Sequence, residues 1–247
     1  MPEGVLLGLL AIAVLVGVVL QRITGSGIGA VVAPPLILVL GPVAGVQVLH
    51  VVAALCSLVL LASCWRDVDW GRTAVVTGTA LAATPVGAVL AFTLPEAVLQ
   101  VAMGLLMLAA LFTVEALART RLMRSRMGVV TTGVLGGVSN GAVGQAGPLM
   151  SAYALASRWP LARFVASMQV CWFLVNLAAA ALKGLPPGVQ PTLLAVLLGS
   201  LVVGVVVSLP IARALPRSVA VACLVVVAAI GAVAVLAKGV VGLVQPL

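Results

Sequence analysis

Two polar, glycine-rich segments interrupt an otherwise apolar chain, and they carry the side chains best suited to hold a ligand. Flexible, polar backbone inside a bilayer is costly unless it lines a cavity enclosed by protein or filled with water. A matched pair of such breaks in the two halves of one chain is the best sequence indication of a transporter's substrate site. The candidate binding residues in these segments are Thr24, Gly25, Ser26, Gly27 and Gly29, together with Ser139, Asn140, Gly141 and Gly144.

The chemistry expected of these segments is anion binding. The first N–H groups of a helix are unpaired and its dipole is positive at that end, so a helix that begins after such a break attracts negative charge. The hydroxyl and amide groups of Thr24, Ser26, Ser139 and Asn140 would add side-chain donors. The alternative is that the glycines only allow close helix packing, as small residues do in many membrane proteins. The pairing of two such segments with polar neighbours favours a binding site.

Four further side chains within apolar stretches complete the candidate site. Gln47 and Gln169 stand at corresponding places in the two halves, so they are expected either to ligate an anion from opposite sides or to bond between helices. His50, the one histidine, is either a titratable functional group or a neutral packing side chain. Trp172 and Asn176 share a helix face with Gln169, and this face is more polar than lipid favours, so it is predicted to point inward.

Several chemistries are disfavoured by what the sequence lacks. No acidic residue falls in the middle of an apolar stretch, which argues against a carboxylate relay for ion coupling. The four cysteines form no C-x-x-C pair and no Cys/His spacing typical of a metal site. A phosphate-binding G-x-x-x-x-G-K-[ST] loop is also missing. We therefore expect no enzyme activity, no cofactor and no metal.

The composition is that of an integral membrane protein. The 247 residues are 64% hydrophobic and 7% charged, whereas soluble domains carry roughly 25% charged residues. Apolar runs such as 97–117 and 219–237 are long and do not alternate, so they predict helices rather than barrel strands. The first residues lack a basic region, so the first apolar run is predicted to be a membrane span and not a signal peptide. The net charge of +8 comes from short connections between spans, and nucleic acid is not an expected partner.

The two halves of the chain resemble each other. Gly78 and Gly199 stand 121 positions apart, as do Pro95 and Pro216, and Gln47 and Gln169 stand 122 positions apart. This offset predicts a first membrane repeat at 1–117, a basic cytoplasmic connection at 118–127 and a second membrane repeat at 128–247.

Counting basic residues decides between two topologies. If each half crosses five times, with the short segments 30–40 and 147–157 counted, eleven arginines fall on one side and two lysines on the other. If the short segments do not cross, the division is eight against five. The positive-inside rule favours the first topology, with both termini outside. An odd number of crossings per half makes the repeats inverted, which is a common transporter arrangement.

The predicted fold class is therefore an all-α polytopic membrane protein with two inverted repeats. We expect about eight full transmembrane helices and two short broken or re-entrant helices, ten elements in total. The short segments of 11 residues would extend only about 16 Å at 1.5 Å per residue, so they are predicted to be half-helices completed by the glycine loops.

At this level of detail the chain resembles the TauE/SafE family of sulfite exporter-like membrane permeases. The resemblance is carried by the runs 25–29, 34–36 and 41–42, by the charged connection 65–70, and by the second-half glycines and prolines between 136 and 149. It implies movement of small sulfur-containing or organic anions across the cytoplasmic membrane.

The function expected from this sequence is transport of small anions, most of all sulfite, organosulfonates or related organic anions, between the two glycine-rich loops. The expected location is the cell membrane, as a multi-pass protein. A channel-like or partner-dependent membrane subunit is the alternative, followed by a membrane enzyme. The expected partners are a small anionic substrate and the lipid bilayer, and a homodimer is left open.

Overall fold

The computed structural model describes residues 3–244 and shows eleven α-helices and no strand among them. The outermost ends of the two predicted repeats, 1–2 and 245–247, lie outside the described residues. The helices are α1 (Glu3–Thr24), α2 (Ile28–Leu40), α3 (Pro42–Leu61), α4 (Trp70–Thr93), α5 (Glu96–Arg119), α6 (Arg121–Arg124), α7 (Arg126–Val143), α8 (Gly147–Ala156), α9 (Leu161–Lys183), α10 (Pro191–Ala214) and α11 (Arg217–Val244).

The predicted all-α polytopic fold is confirmed. Seven of the described helices, α1, α3, α4, α5, α9, α10 and α11, are long and apolar enough to cross a bilayer. Helix α7 occupies the eighth long position, but its apolar part, Met127–Val143, is shorter because the helix begins at the basic connection. Helices α2 and α8 have 13 and 10 residues, and lengths of about 20 and 15 Å are well short of the ~30 Å hydrocarbon core.

Helices α1–α5 and α7–α11 are packed as two equivalent sets. Helix α1 packs on α10, and its counterpart α7 packs on α4. In the same way α2 packs on α11, and α8 packs on α5. Helices α3 and α9 pack on each other, as do α5 and α11. These contacts between the two sets are preserved when the sets are exchanged, which is the pattern of a two-fold relation between repeats.

The direction of the paired helices shows that the repeats are inverted. The amide of Gln47 on α3 donates to the carbonyl of Lys183 on α9 over 2.7 Å, and His50 contacts Asn176 over 3.0 Å. The later residue of α3, His50, thus contacts the earlier residue of α9, Asn176, so the two helices are antiparallel. Two counterpart helices can be antiparallel only if the two-fold axis is perpendicular to them. Since both helices are long enough to span the bilayer, the axis lies in its plane.

One end of the bundle collects the arginines. The guanidinium of Arg22, near the end of α1, donates to Ser208 over 2.7 Å and to Ser63 over 3.2 Å. Arg72, at the start of α4, stacks over the ring of Trp159, which precedes α9. The remaining arginines belong to connections and helix ends on this side. We call it the arginine end.

The opposite end, the lysine end, carries Lys183 and Lys238. The ammonium of Lys238 on α11 donates to the carbonyl of Leu38 near the end of α2 over 2.9 Å. Helix α2 therefore returns to the lysine end after α1 has reached the arginine end, and each repeat runs five times along the bundle. The distribution of eleven arginines against two lysines is that of the five-crossing topology. The bounds of the repeats and of the connection at 118–127 stay predictions, and α6 lies within that connection.

Candidate functional site

A cavity of about 350 Å³ lies where the starts of α2 and α8 meet. Its inner wall includes Ala53, Trp172 and Asn176, which lie in the middle of α3 and α9. Its outer wall includes Glu115 and Arg217, at the arginine end of α5 and α11. No described residue of α3 before Ala53 or of α9 after Asn176 lines it. The cavity therefore reaches from the middle of the bundle to the arginine end.

The first glycine-rich loop ends α1 through a left-handed residue. Gly25 has φ of 82°, and its N–H donates to the carbonyl of Gln21. The indole N–H of Trp172 donates to the carbonyl of Gly25 over 2.8 Å, which fixes the loop against α9. The hydroxyl of Thr24 lies against the carbonyls of Leu20 and Ser26. Thr24 is thus used to hold the loop together.

The second loop repeats this geometry. Gly144 has φ of 71°, and its N–H donates to the carbonyl of Asn140 over 2.8 Å. The hydroxyl of Ser139 donates to the carbonyl of Gln145 over 2.6 Å, so Ser139 also stabilises its own loop. Both breaks therefore end one helix with a left-handed glycine and begin the next helix three residues later.

The two loops contact each other across the two-fold relation. A Cβ atom placed on Gly29 would lie 2.6 Å from the carbonyl oxygen of Gly144. A Cβ atom on Gly147 would lie 2.7 Å from the hydroxyl of Ser26. Only glycine allows this approach, because the atom opposite Gly29 is backbone and cannot rotate away. The starts of both half-helices are thereby brought into one cavity.

Residues with unpaired backbone donors line this cavity from both half-helices. The first backbone bond of α2 is donated by Val31, and among the described residues the N–H groups of Gly29 and Ala30 have no partner. At the start of α8 the N–H of Gly147 is likewise unpaired among the described residues. Gly29, Ala30 and Gly147 all line the cavity. Two positive dipole ends with free donors favour a negatively charged ligand at this place.

Gln145 adds a side-chain donor to the same wall. It lines the cavity, it is 7% exposed, and neither its amide nitrogen nor its amide oxygen has a partner among the described residues. A buried amide without hydrogen bonds costs about 1–3 kcal/mol. A bound ligand that accepts a hydrogen bond from Nε2 would remove the part of that cost that comes from the amide nitrogen.

Behind the cavity lie two buried polar triads that are related by the repeat. In the first, the amide of Gln21 donates to Ser57 over 3.0 Å and to Gln169 over 3.2 Å. In the second, the amide of Asn140 donates to Asn176 over 3.1 Å, and Asn176 also contacts His50. Equivalent members of the two triads stand 119 positions apart in the sequence. The pairs are Gln21 with Asn140, Ser57 with Asn176, and His50 with Gln169.

The second triad fixes the tautomer of its histidine. Asn176 accepts from Asn140 through Oδ1, so this oxygen is an acceptor and His50 must donate to it from Nδ1. The other ring nitrogen, Nε2, is buried and has no partner among the described residues. The triads connect each loop to the α3/α9 pair. The backbone carbonyls of Gln21 and Asn140 accept hydrogen bonds from the N–H groups of Gly25 and Gly144, while their side chains belong to the triads.

The cavity does not include every residue predicted for the site. Seven of the thirteen predicted residues line it: Thr24, Ser26, Gly27, Gly29, Asn140, Gly144 and Trp172. Four more of the predicted residues lie behind the wall and form hydrogen bonds with residues of the loops or triads, namely Gly25, Ser139, His50 and Gln169.

Two predicted residues lie elsewhere. The amide of Gln47 donates to the carbonyl of Lys183 towards the lysine end. Gln47 belongs to neither triad, because the repeat counterpart of Gln169 is His50. Gly141 packs against Thr84 and Ala88 of α4, so its role in the structure is close helix packing.

Besides the predicted site residues, the wall contains Asn176, which the sequence places on the inward face of Gln169 and Trp172. It also contains Gln21, Gln145 and Arg217, which are absent from the predicted site. Aligning the two halves with an offset of 119 positions, instead of 121 or 122, places Gln21 and Asn140 at equivalent positions. Gln145 occupies the position equivalent to Ser26 under the same offset.

The mouth of the cavity is basic. Next to it lies a second, open cavity of about 520 Å³, whose charged lining residues are Glu115, Arg119, Arg124 and Arg158. Glu115 lines both cavities, and Arg217 lies on the wall of the first. The 3.4 Å contact between Glu115 and Arg119 is exposed and contributes little to stability. Four arginines against one glutamate give this entrance a positive potential that concentrates anions.

The indole bond to the first loop leads to a prediction. We expect Trp172→Phe to lower the melting temperature in detergent by about 2–4 °C, because a hydrogen bond worth about 1 kcal/mol is lost. Trp65→Phe is the matched control, since Trp65 is 54% exposed and lies outside the cavity. Equal melting temperatures for the two variants would contradict the role of the indole.

Inverted repeats with two broken helices around a central cavity are a common arrangement of membrane transporters. The chain belongs to the sulfite exporter TauE/SafE family, whose model matches residues 9–235 of the 247. This is a family of membrane transporters, and the resemblance seen in the glycine and proline pattern is confirmed. No curated protein and no solved structure shows a significant match to the chain.

Proposed function

We propose that the protein carries small oxyanions, sulfite and organosulfonates or related organic anions, across the cytoplasmic membrane through the cavity between the two glycine-rich loops. The observation that carries this proposal is the convergence of two half-helix starts, with unpaired N–H groups, on one cavity. Backbone donors and helix dipoles recognise an anion without a basic side chain at the site.

The charges around the cavity support an anionic substrate. Among the described side chains on its wall, the only charged ones are Glu115 and Arg217, both at the mouth. The arginines of the adjoining vestibule attract anions to that mouth. The choice of sulfur oxyanions comes from the family, and a volume of about 350 Å³ is sufficient for such small ions.

The arginine end faces the cytoplasm in this proposal, following the positive-inside rule. The cavity is then open to the cytoplasm and closed towards the outside by the contact of α3 with α9. Inverted repeats allow the opposite state, in which the two halves exchange conformations and the outer side opens. The proposal includes no catalytic step. A homodimer and the location in the cell membrane stay predictions.

Countertransport distinguishes this carrier from a channel. Liposomes that contain the purified protein are preloaded with unlabelled sulfite, and the uptake of labelled sulfite is followed. A carrier with alternating access is expected to show faster uptake after preloading, because the loaded site returns more readily than the empty one. Uptake that is rapid but independent of preloading would favour the channel, and no uptake of any oxyanion would contradict the proposal.

Gln145→Ala is expected to weaken sulfite binding about 10- to 100-fold, because a hydrogen bond from a buried amide to a charged ligand contributes about 1.5–3 kcal/mol. The measurement is the sulfite concentration that gives half of the maximal thermal shift in detergent. Gln100→Ala is the matched control, since Gln100 is also buried with an unpartnered Nε2 but lies outside the cavity. Similar affinities for both variants would exclude Gln145 from the site.

A further inference from the structure

Lys183 is a buried basic residue without a counterion among the described residues. It ends α9 at the lysine end, it is 7% exposed, and its Nζ has no partner among the described residues. The helix dipole at this end favours a cation, but only within the last turn and by about 0.3–1 kcal/mol. An unpaired buried charge costs considerably more than that. The position is therefore explained best by an anion that is bound there during part of the transport cycle.

A buried stripe of α9 joins this lysine to the cavity. Trp172, Asn176, Ala179 and Lys183 are spaced by four, three and four residues, which places them on one face of the helix. All four are buried, and the first two line the cavity. The stripe thus runs from the inner wall of the cavity to the lysine end.

Helix α3 covers this stripe with its own polar groups. The amide of Gln47 donates to the carbonyl of Lys183, and His50, one turn further along α3, bonds Asn176. Nε2 of His50 is the second buried nitrogen without a partner on this side of the cavity. Unpartnered polar atoms therefore follow the seam between α3 and α9 beyond the closed end of the cavity.

We infer that the seam between α3 and α9 is the outer half of the anion path, and that the ammonium of Lys183 binds the anion there when the protein is open to the outside. This inference rests on the proposed function. The site takes a small oxyanion, whose negative oxygens pair with the Lys183 ammonium. In the present structure the seam is closed, because the repeats are in the state that opens towards the arginine end.

Substitution of the lysine tests the inference. Lys183→Gln is expected to reduce sulfite exchange in proteoliposomes at least tenfold, whereas Lys183→Arg retains most of it. The thermal shift produced by sulfite in detergent should change less than twofold, because the cavity site is intact. Lys238→Gln is the matched control, since it removes the same charge at the same end from an exposed side chain.

Thiol labelling tests the location directly. With Cys64 and Cys223 replaced by serine, Lys183→Cys in intact cells should react with an anionic, impermeant thiosulfonate, and sulfite should slow the reaction several-fold. Lys238→Cys should react without an effect of sulfite. Equal exchange by Lys183→Gln and Lys238→Gln, or labelling at 183 that sulfite leaves unchanged, would overturn the inference while the cavity site stands. Absence of exchange by the unmodified protein would overturn the inference and the proposed function together.

Discussion

Gly29→Ala is expected to reduce sulfite exchange at least tenfold, which corresponds to about 1.4 kcal/mol or more in the barrier. The added methyl would lie 2.6 Å from the carbonyl oxygen of Gly144, so the two loops must separate. Their separation moves the N–H groups of both half-helices away from a shared ligand. The measurements are exchange in proteoliposomes and the thermal shift produced by sulfite, and both are expected to fall.

The control for this substitution is Gly199→Ala. Gly199 also lies in a helix, and a Cβ atom there would have no neighbour within 4 Å. Both substitutions improve helix propensity by a similar amount, roughly 0.5–1 kcal/mol, so only the contact differs. Normal exchange by Gly29→Ala would show that the contact between the loops is unnecessary for transport.

Asn176→Leu is expected to lower both stability and transport. Asn176 accepts from Asn140 and from His50 and donates to the carbonyl of Trp172 over 2.7 Å, so its loss leaves two buried donors without an acceptor. We expect a loss of about 1–3 kcal/mol in unfolding free energy, and membrane averages of about 0.6 kcal/mol per bond place the result in the lower part of that range. Exchange should fall more than tenfold, because Asn176 is also part of the cavity wall.

A double variant separates the two effects. His50→Leu combined with Asn176→Leu removes a donor together with its acceptor, which is far less costly than leaving one of them buried alone. The melting temperature should therefore recover in part, while exchange stays low. A double variant less stable than either single variant would contradict the arrangement of the second triad.

The broad architecture follows from patterns that need only local physics. Long apolar runs predict spanning helices because each helix satisfies its own backbone hydrogen bonds in lipid. Glycine and polar residues predict the two breaks, and Gly25 and Gly144 do adopt the left-handed conformation that ends a helix. The arginine count predicts five passes per half because basic connections stay on one side of the membrane. These predictions agree with the structure.

The composition of the site followed less directly from the sequence. The sequence pattern pairs Gln47 with Gln169 at an offset of 122, whereas the triads relate His50 to Gln169 at an offset of 119. Apolar helices can be aligned at several offsets with similar quality, because most positions carry exchangeable aliphatic residues. For the same reason the sequence pattern does not identify Gln21, although its amide bonds Ser57, Gln169 and the N–H of Ile28.

By itself, the sequence determined a helical membrane protein with two related halves, two broken helices and a basic side, since composition and periodicity report these properties directly. Only the tertiary structure decided which polar groups share a cavity. That choice depends on the packing register between helices far apart in the chain, as when Gly29 contacts Gly144, or Lys183 is buried against α3. If that register shifts by a few residues, an amide side chain that faced the ligand forms a hydrogen bond between helices instead.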